Sequence, residues 1–140
     1  MKKSFITGAF ILIIMIGCKK FPDLGSGYKF DYSGRSNYIL IENIDDEVVI
    51  FDNIINYKYD VHFIVAEQKP PDSIPDGKDY EEWKIAYEKS NFKQYWIIDK
   101  KQKSVFNEGT KSYSNVYGPL TKDEYLDKLK QLNASKDLKL

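Results

Sequence analysis

Asn56-Tyr57-Lys58-Tyr59-Asp60-Val61-His62-Phe63-Ile64-Val65-Ala66-Glu67 is the stretch on which the fold turns. Tyr57, Tyr59, Val61, Phe63 and Val65 recur at every second position, with Lys58, Asp60 and His62 between them. Side chains alternate across a strand, so this period of two predicts one β-strand over 56–67, with a core face and a partly wet face.

Similar signals lie on both sides of it. Toward the N-terminus, Tyr28, Phe30 and Tyr32 alternate with Lys29 and Asp31 and predict a half-buried strand. Asn37 to Glu42 and Val48 to Phe51 predict two more, separated by polar turns at Ser33–Ser36 and Asn43–Glu47. The acidic run Asp45-Asp46-Glu47 lacks the ligand spacing and glycine turn of a calcium loop and reads as a solvated turn. Toward the C-terminus, three prolines and Asp76-Gly77 make 68–78 a loop. The apolar run Tyr95-Trp96-Ile97-Ile98 predicts a central strand buried on both faces. After a polar turn at 99–103, Ser104–Asn107 and Val116-Tyr117 predict short strands, the latter ended by Gly118-Pro119.

Two helices are signposted. Asp79, with Glu82 three residues on, has the form of a capping box, and Tyr80, Trp83 and Tyr87 fall on one stripe of the helix that follows. That stripe is expected to pack on the sheet; exposed, it is the candidate set of binding aromatics. Thr121 and Glu124 form a second capping box, with Leu120 and Tyr125 at the positions of a hydrophobic staple. Tyr125, Leu126, Leu129 and Leu132 make an apolar face, and Leu138 and Leu140 are expected to pin the tail. The expected fold is α+β: a mainly antiparallel, meandering sheet of about five or six strands, the C-terminal helix packed on it and a second short helix beside it.

The first eighteen residues predict location. Lys2 and Lys3 precede an uncharged, mostly apolar run of thirteen residues, Phe5 to Gly17. A spanning helix needs about 20 residues, so the pattern is that of an export signal. Its end, Met15-Ile16-Gly17-Cys18, resembles the lipobox of bacterial lipoproteins, with Met15 and Ile16 where leucine and a small residue are usual. The resemblance implies cleavage between Gly17 and Cys18 and a diacylglycerol on the Cys18 thiol. Further acylation would secure the anchor, since one chain alone binds a membrane only marginally. Lys19 is not the acidic residue that retains some lipoproteins in the inner membrane, which favours an outer-membrane or surface location. The expected organisation is a removed signal over 1–17, a lipidated tether over 18–27 and a single globular domain over 28–140.

Losing residues 1–17 takes Lys2 and Lys3 from 21 basic residues, leaving 19 against 21 acidic ones over 123 residues. A formal charge of −2 carries no electrostatic footprint for nucleic acid. With one histidine, His62, and the one cysteine lipidated, a zinc site of His and Cys ligands is excluded within one chain, and no cofactor is expected. No phosphate-cradling glycine loop and no G-x-S-x-G elbow occurs.

The phrases Tyr95-Trp96-Ile97-Ile98-Asp99-Lys100, Tyr117-Gly118-Pro119-Leu120-Thr121 and Glu124-Tyr125 resemble an uncharacterised family of small bacterial lipoproteins of unknown function. The stretch from Lys101 to Asn115 is longer here than that family's usual hairpin. The resemblance bears on fold and location and implies no chemistry.

The leading expectation is therefore a non-catalytic, lipid-anchored envelope protein that binds another protein or a glycan. One alternative is an immunity or inhibitor protein against a toxin. Another is a small hydrolase using His62 with Asp60, for which the plainer reading is a surface histidine on a strand.

Overall fold

The computed structural model describes residues 22–33, 36–41, 47–74, 77 and 79–140. The signal, Gly17, Cys18 and the turn residues 34–35, 42–46 and 75–76 lie outside the described residues.

The stretch 56–67 is not one strand. It is divided between β5 (Ile54–Tyr59) and β6 (Phe63–Gln68), which pair antiparallel with Tyr57 opposite Ala66 and Tyr59 opposite Ile64. Asp60 makes the reversal. Its Oδ1 accepts from the backbone N–H of His62 and of Phe63, each at 2.7 Å, and its own N–H donates to the Phe63 carbonyl at 3.0 Å. Such an aspartate turn needs no glycine or proline, so the alternation runs through it without punctuation. The turn also reassigns the faces. Tyr57 shares a core with Ile64 and Ala66, while Phe63 and Val65 belong to another.

Every residue of β6 is buried, and it lies between β5 and β7 (Gln94–Asp99). The central-strand expectation for 95–98 holds: β7 is flanked by β6 and by β10 (Val116–Leu120). These four strands form one antiparallel sheet in the order β10-β7-β6-β5.

A second four-stranded antiparallel sheet runs β1 (Asp23–Gly25), β2 (Tyr28–Ser33), β3 (Ser36–Ile41), β4 (Glu47–Ile50) in sequence order. The short strands β8 (Phe106–Asn107) and β9 (Ser112–Tyr113) form a separate ribbon. The α+β, antiparallel class is as expected. The strands, ten among the described residues, divide between two main sheets and a ribbon, where five or six in one sheet were expected. The residue pair Asp52-Asn53 separates the sheets. Both adopt positive φ (45° and 53°), which turns the chain from β4 into β5 on the other layer. Leu24, within the stretch 18–27 expected as a tether, is fully buried in β1.

The molecule therefore has three layers. Leu24, Tyr28, Ile39 and Ile50 of the first sheet meet Ile54, Ile64, Ala66 and Ile98 of the second. The opposite face of the second sheet, Phe63, Val65, Tyr95 and Ile97, is covered by Tyr125 and Leu129 of α2 (Lys122–Gln131) and by Leu138. Full burial of each such aliphatic side chain contributes about 1.5–3 kcal/mol, so a sheet buried on both sides supplies much of the driving force. Asn37 fastens the two sheets: its amide accepts from the Ile54 N–H and donates to the Ile54 carbonyl.

Helix α2 has the complete capping box at Thr121 and Glu124. The tail beyond it is held by its carbonyls. Tyr125 donates to Leu138 O at 2.7 Å, Lys58 Nζ to Asp137 O and Lys139 O, and Lys122 Nζ to Leu140 O. Helix α1 (Tyr80–Lys89) is capped by Asp79, which accepts from the Glu82 N–H at 2.9 Å, yet none of its residues is buried.

Gly118-Pro119 does not end β10. The strand continues through a cis peptide to Leu120, with a register shift between Tyr117 and Leu120. β10 is an edge strand, where a proline and a bulge are tolerated because no further ladder bond is lost.

Candidate functional site

The aromatic stripe of α1 forms, but as an external stack. The Tyr80 and Trp83 rings lie 6.4 Å apart at 21°, and the Trp83 and Tyr87 rings 5.1 Å apart at 9°. Lys69 Nζ sits 4.6 Å from the Tyr87 ring centroid, and the Tyr87 hydroxyl donates to Lys69 O. The expected packing on the sheet is replaced by packing of the rings on one another. No residue of α1 is buried. Since Trp83 is faced on both sides and Tyr87 lies between Trp83 and Lys69, only Tyr80, 63% exposed, keeps an open ring face.

His62 is exposed in the β5–β6 turn and lines none of the three pockets described below. The Asp60 oxygen Oδ1 is taken by two backbone N–H groups. The residues proposed for a hydrolytic pair are therefore adjacent in a turn but are not assembled around a cleft. Among the described residues no group of His, Cys, Asp and Glu has metal-site geometry.

The largest of three concavities among the described residues, about 760 Å³, is a groove at the β4/β10 edge of the sandwich. Its size falls within the range of small-ligand and peptide side-chain pockets. The floor is the inner face of the second sheet where the first sheet stops short: Gln68, Gln94, Trp96 and Gly118. One wall is β4 with Phe51, a second is Pro70-Pro71-Asp72, and the third is the β8–β9 ribbon with Phe106 and Tyr113. Two smaller hollows lie elsewhere, one between β5 and the C-terminal tail, the other between β1 and the β5–β6 turn.

Gln68, buried on β6, organises the groove floor. Its Oε1 accepts from Trp96 Nε1 at 2.6 Å and Gln94 Nε2 at 2.7 Å, and its Nε2 donates to the carbonyls of Phe51 and Asp52. All of its bonding capacity is used, so Gln68 fixes the floor rather than offering itself to a ligand. Tyr113 is different. It is 94% buried, and its hydroxyl has no hydrogen-bond partner among the described residues. Burial first, then the nearby Glu47 carboxylate, pushes its pKa well above the usual tyrosine value. Glu47 approaches the phenol without meeting full hydrogen-bond geometry. A buried hydroxyl without a partner carries a desolvation cost of about 1–3 kcal/mol, which a ligand's polar atom would relieve.

Neighbouring Asn115, fully buried, donates to Tyr28 Oη at 2.8 Å and to the Asp99 carbonyl at 3.0 Å, locking the ribbon's base to both sheets. Glu67, a buried carboxylate near this end of β6, is held through Oε1 by Lys93 at 2.8 Å and the Tyr95 hydroxyl at 3.1 Å.

A family model described as a protein of unknown function, DUF3997, matches residues 25–140. The chain belongs to the DUF3997 family. The match takes in the strand, turn and helix phrases at 95–125 and nearly all of both sheets. No curated protein and no solved structure matches the chain. In this DUF3997 protein, no helix among the described residues is long and apolar enough to cross a membrane. The groove residues lie within the matched span but were not legible as a set, because they come from four separate stretches. The one sequence signal was the length of Lys101–Asn115, which becomes the ribbon wall.

Proposed function

We propose that this DUF3997 protein is a non-catalytic envelope lipoprotein, acylated on Cys18 after cleavage behind Gly17, that receives an extended segment of another envelope protein in the groove. The observation that carries the binding role is the position of β4. It is the edge strand of its sheet, its outer edge pairs with no strand among the described residues, and Glu47, Val48 and Val49 line the groove directly. An exposed edge offers backbone hydrogen bonds to an incoming strand, and alternate side chains of that strand enter adjacent pockets.

A protein segment suits the groove better than a glycan. Gly118 lies against the face of Trp96, and the α1 rings stack on one another, so few aromatic faces are open for sugar stacking. Phe51 at the rim is 66% exposed, and Phe106 faces it from the ribbon side. Support for the anchor comes from the lipobox-like Met15-Ile16-Gly17-Cys18 alone.

A photo-crosslinking amino acid at Phe51 or Phe106 in intact cells should capture one discrete protein, while the same group at Ile85 on α1 should not. Identical patterns at all three positions, or no adduct at the groove, would reject the binding role. Labelled fatty acid should enter the wild type and not a Cys18→Ala variant.

A further inference from the structure

We infer that the β1/β5 edge of the sandwich is the face laid against the lipid surface, with Tyr59 and Val61 in the headgroup region and the groove turned away from the membrane. The inference rests on the proposed acylation of Cys18.

The chain enters the fold at Pro22, whose carbonyl accepts from Phe30 N–H at 3.1 Å. Only three residues, Lys19, Lys20 and Phe21, separate Cys18 from Pro22, and four extended residue steps reach at most about 14 Å. A domain of this size is on the order of 30 Å across, so the lipid cannot be reached with the opposite edge facing down.

The surface beside that entry point presents exposed apolar and aromatic side chains among the charged groups Asp23, Asp60 and Lys100. Phe30 stacks on Tyr57 at 4.6 Å, which places β5 next to the entry. Along the same seam lie Tyr59 (49% exposed) and Val61 (76%) at one end. Tyr32 (56%) and Ile55 (49%) lie at the other, brought together because Asn37, the partner of Tyr32, bonds Ile54. Tyrosine belongs at a membrane–water boundary, where its ring is buried and its hydroxyl stays wet. Lys19 and Lys20 add positive charge between the anchor and the fold, suited to anionic headgroups.

The two sheets place the groove opposite. β1 borders the β5–β6 turn, whereas the groove is bordered by β4 and β10. Anchoring through β1 therefore presents the groove outward.

The test uses the acylated full-length protein in vesicles of phosphatidylcholine and phosphatidylglycerol. Because Cys18 carries lipid, Ile55→Cys, Val61→Cys, Ile85→Cys and Val105→Cys each provide one thiol for an environment-sensitive fluorophore. Spin-labelled lipid should quench the label at 55 and 61 several-fold more than at 85 and 105. Equal quenching at all four, or stronger quenching at 85 and 105, overturns the orientation. Flotation of the unlabelled protein with vesicles, compared with Cys18→Ala, separates the two claims. Cys18-dependent flotation without selective quenching removes this face only; flotation that does not depend on Cys18 removes the anchor and the face together.

Discussion

Gly118 is a position where a single methyl group matters. Its φ of +150° lies outside the range that L side chains favour, and an added Cβ would lie 2.7 Å from Trp96 Cδ2, nearer still to Cε3, and 3.0 Å from the Tyr95 carbonyl. The ring cannot yield freely, because Trp96 Nε1 is bonded to Gln68, which is itself bonded on every side. Gly118→Ala should destabilise the fold by about 2–3 kcal/mol, as overpacking and backbone strain combine. It should also disturb groove binding; urea unfolding of the variant at an unchanged m-value would measure the stability part. A midpoint equal to the wild type would refute the steric argument. At this scale the sequence is read unevenly. Gly118-Pro119 is recognisable as special, but its use inside an edge strand depends on the ring beneath it. Asp60 left no mark, because an aspartate between alternating residues is also what a wet strand face looks like.

Elements with local instructions were read correctly, and those whose fate depends on distant packing were not. For α2, the cap, the reciprocal Glu124, the staple and the apolar stripe all lie within about a dozen residues, and each is realised. For α1 the cap is realised, but the stripe packs on itself and none of the helix's residues is buried. The two helices should therefore differ in stability. Thr121→Ala should cost about 1 kcal/mol of global stability, since α2 covers a core. Asp79→Ala should mainly fray α1, leaving global unfolding within a few tenths of a kcal/mol. Hydrogen exchange measures both, with amides of α1 exchanging through local opening and those of α2 only with the global transition. Equal protection in the two helices would contradict this picture.

For the molecule as a whole, ionisation of its tyrosines links stability to pH. Tyr57, Tyr87, Tyr95, Tyr113 and Tyr125 all have pKa values raised above the usual value, in each case first by burial, and Tyr125 is pushed up to about 12. In the unfolded chain these phenols lose their protons near pH ~10. The folded state holds the protons more tightly, so their contribution is complete below pH ~10 and is lost as pH rises from there toward about 12. The urea midpoint should be flat below pH ~9 and fall steeply above ~10, with the part of the tyrosinate absorbance that comes from these five phenols appearing together with unfolding. Tyr125→Phe should soften the fall. A midpoint independent of pH across that window would show that the buried phenols do not control it. At this scale the sequence revealed class but not layering. Strand periodicity gives faces, whereas the partition into two sheets depends on the left-handed pair Asp52-Asn53 and on the Asp60 turn. The groove follows from that partition. It is the area that a four-residue β4 fails to cover, a property of no single stretch.

The grip on the C-terminal carbonyls has a practical side. Residues 137–140 present their backbone to Lys58, Lys122 and Tyr125, three donors from two different layers of the domain. An exopeptidase working inward from Leu140 must therefore pull each successive peptide group out of a side chain's grasp before it can cut. Removal of Leu140 strands the half-buried Lys122, and removal of Leu138 strands the buried Tyr125 hydroxyl and loosens the cover over the second sheet. Erosion from this end is resisted from its first step. An affinity tag after Leu140 should therefore follow a linker that leaves these carbonyls in place.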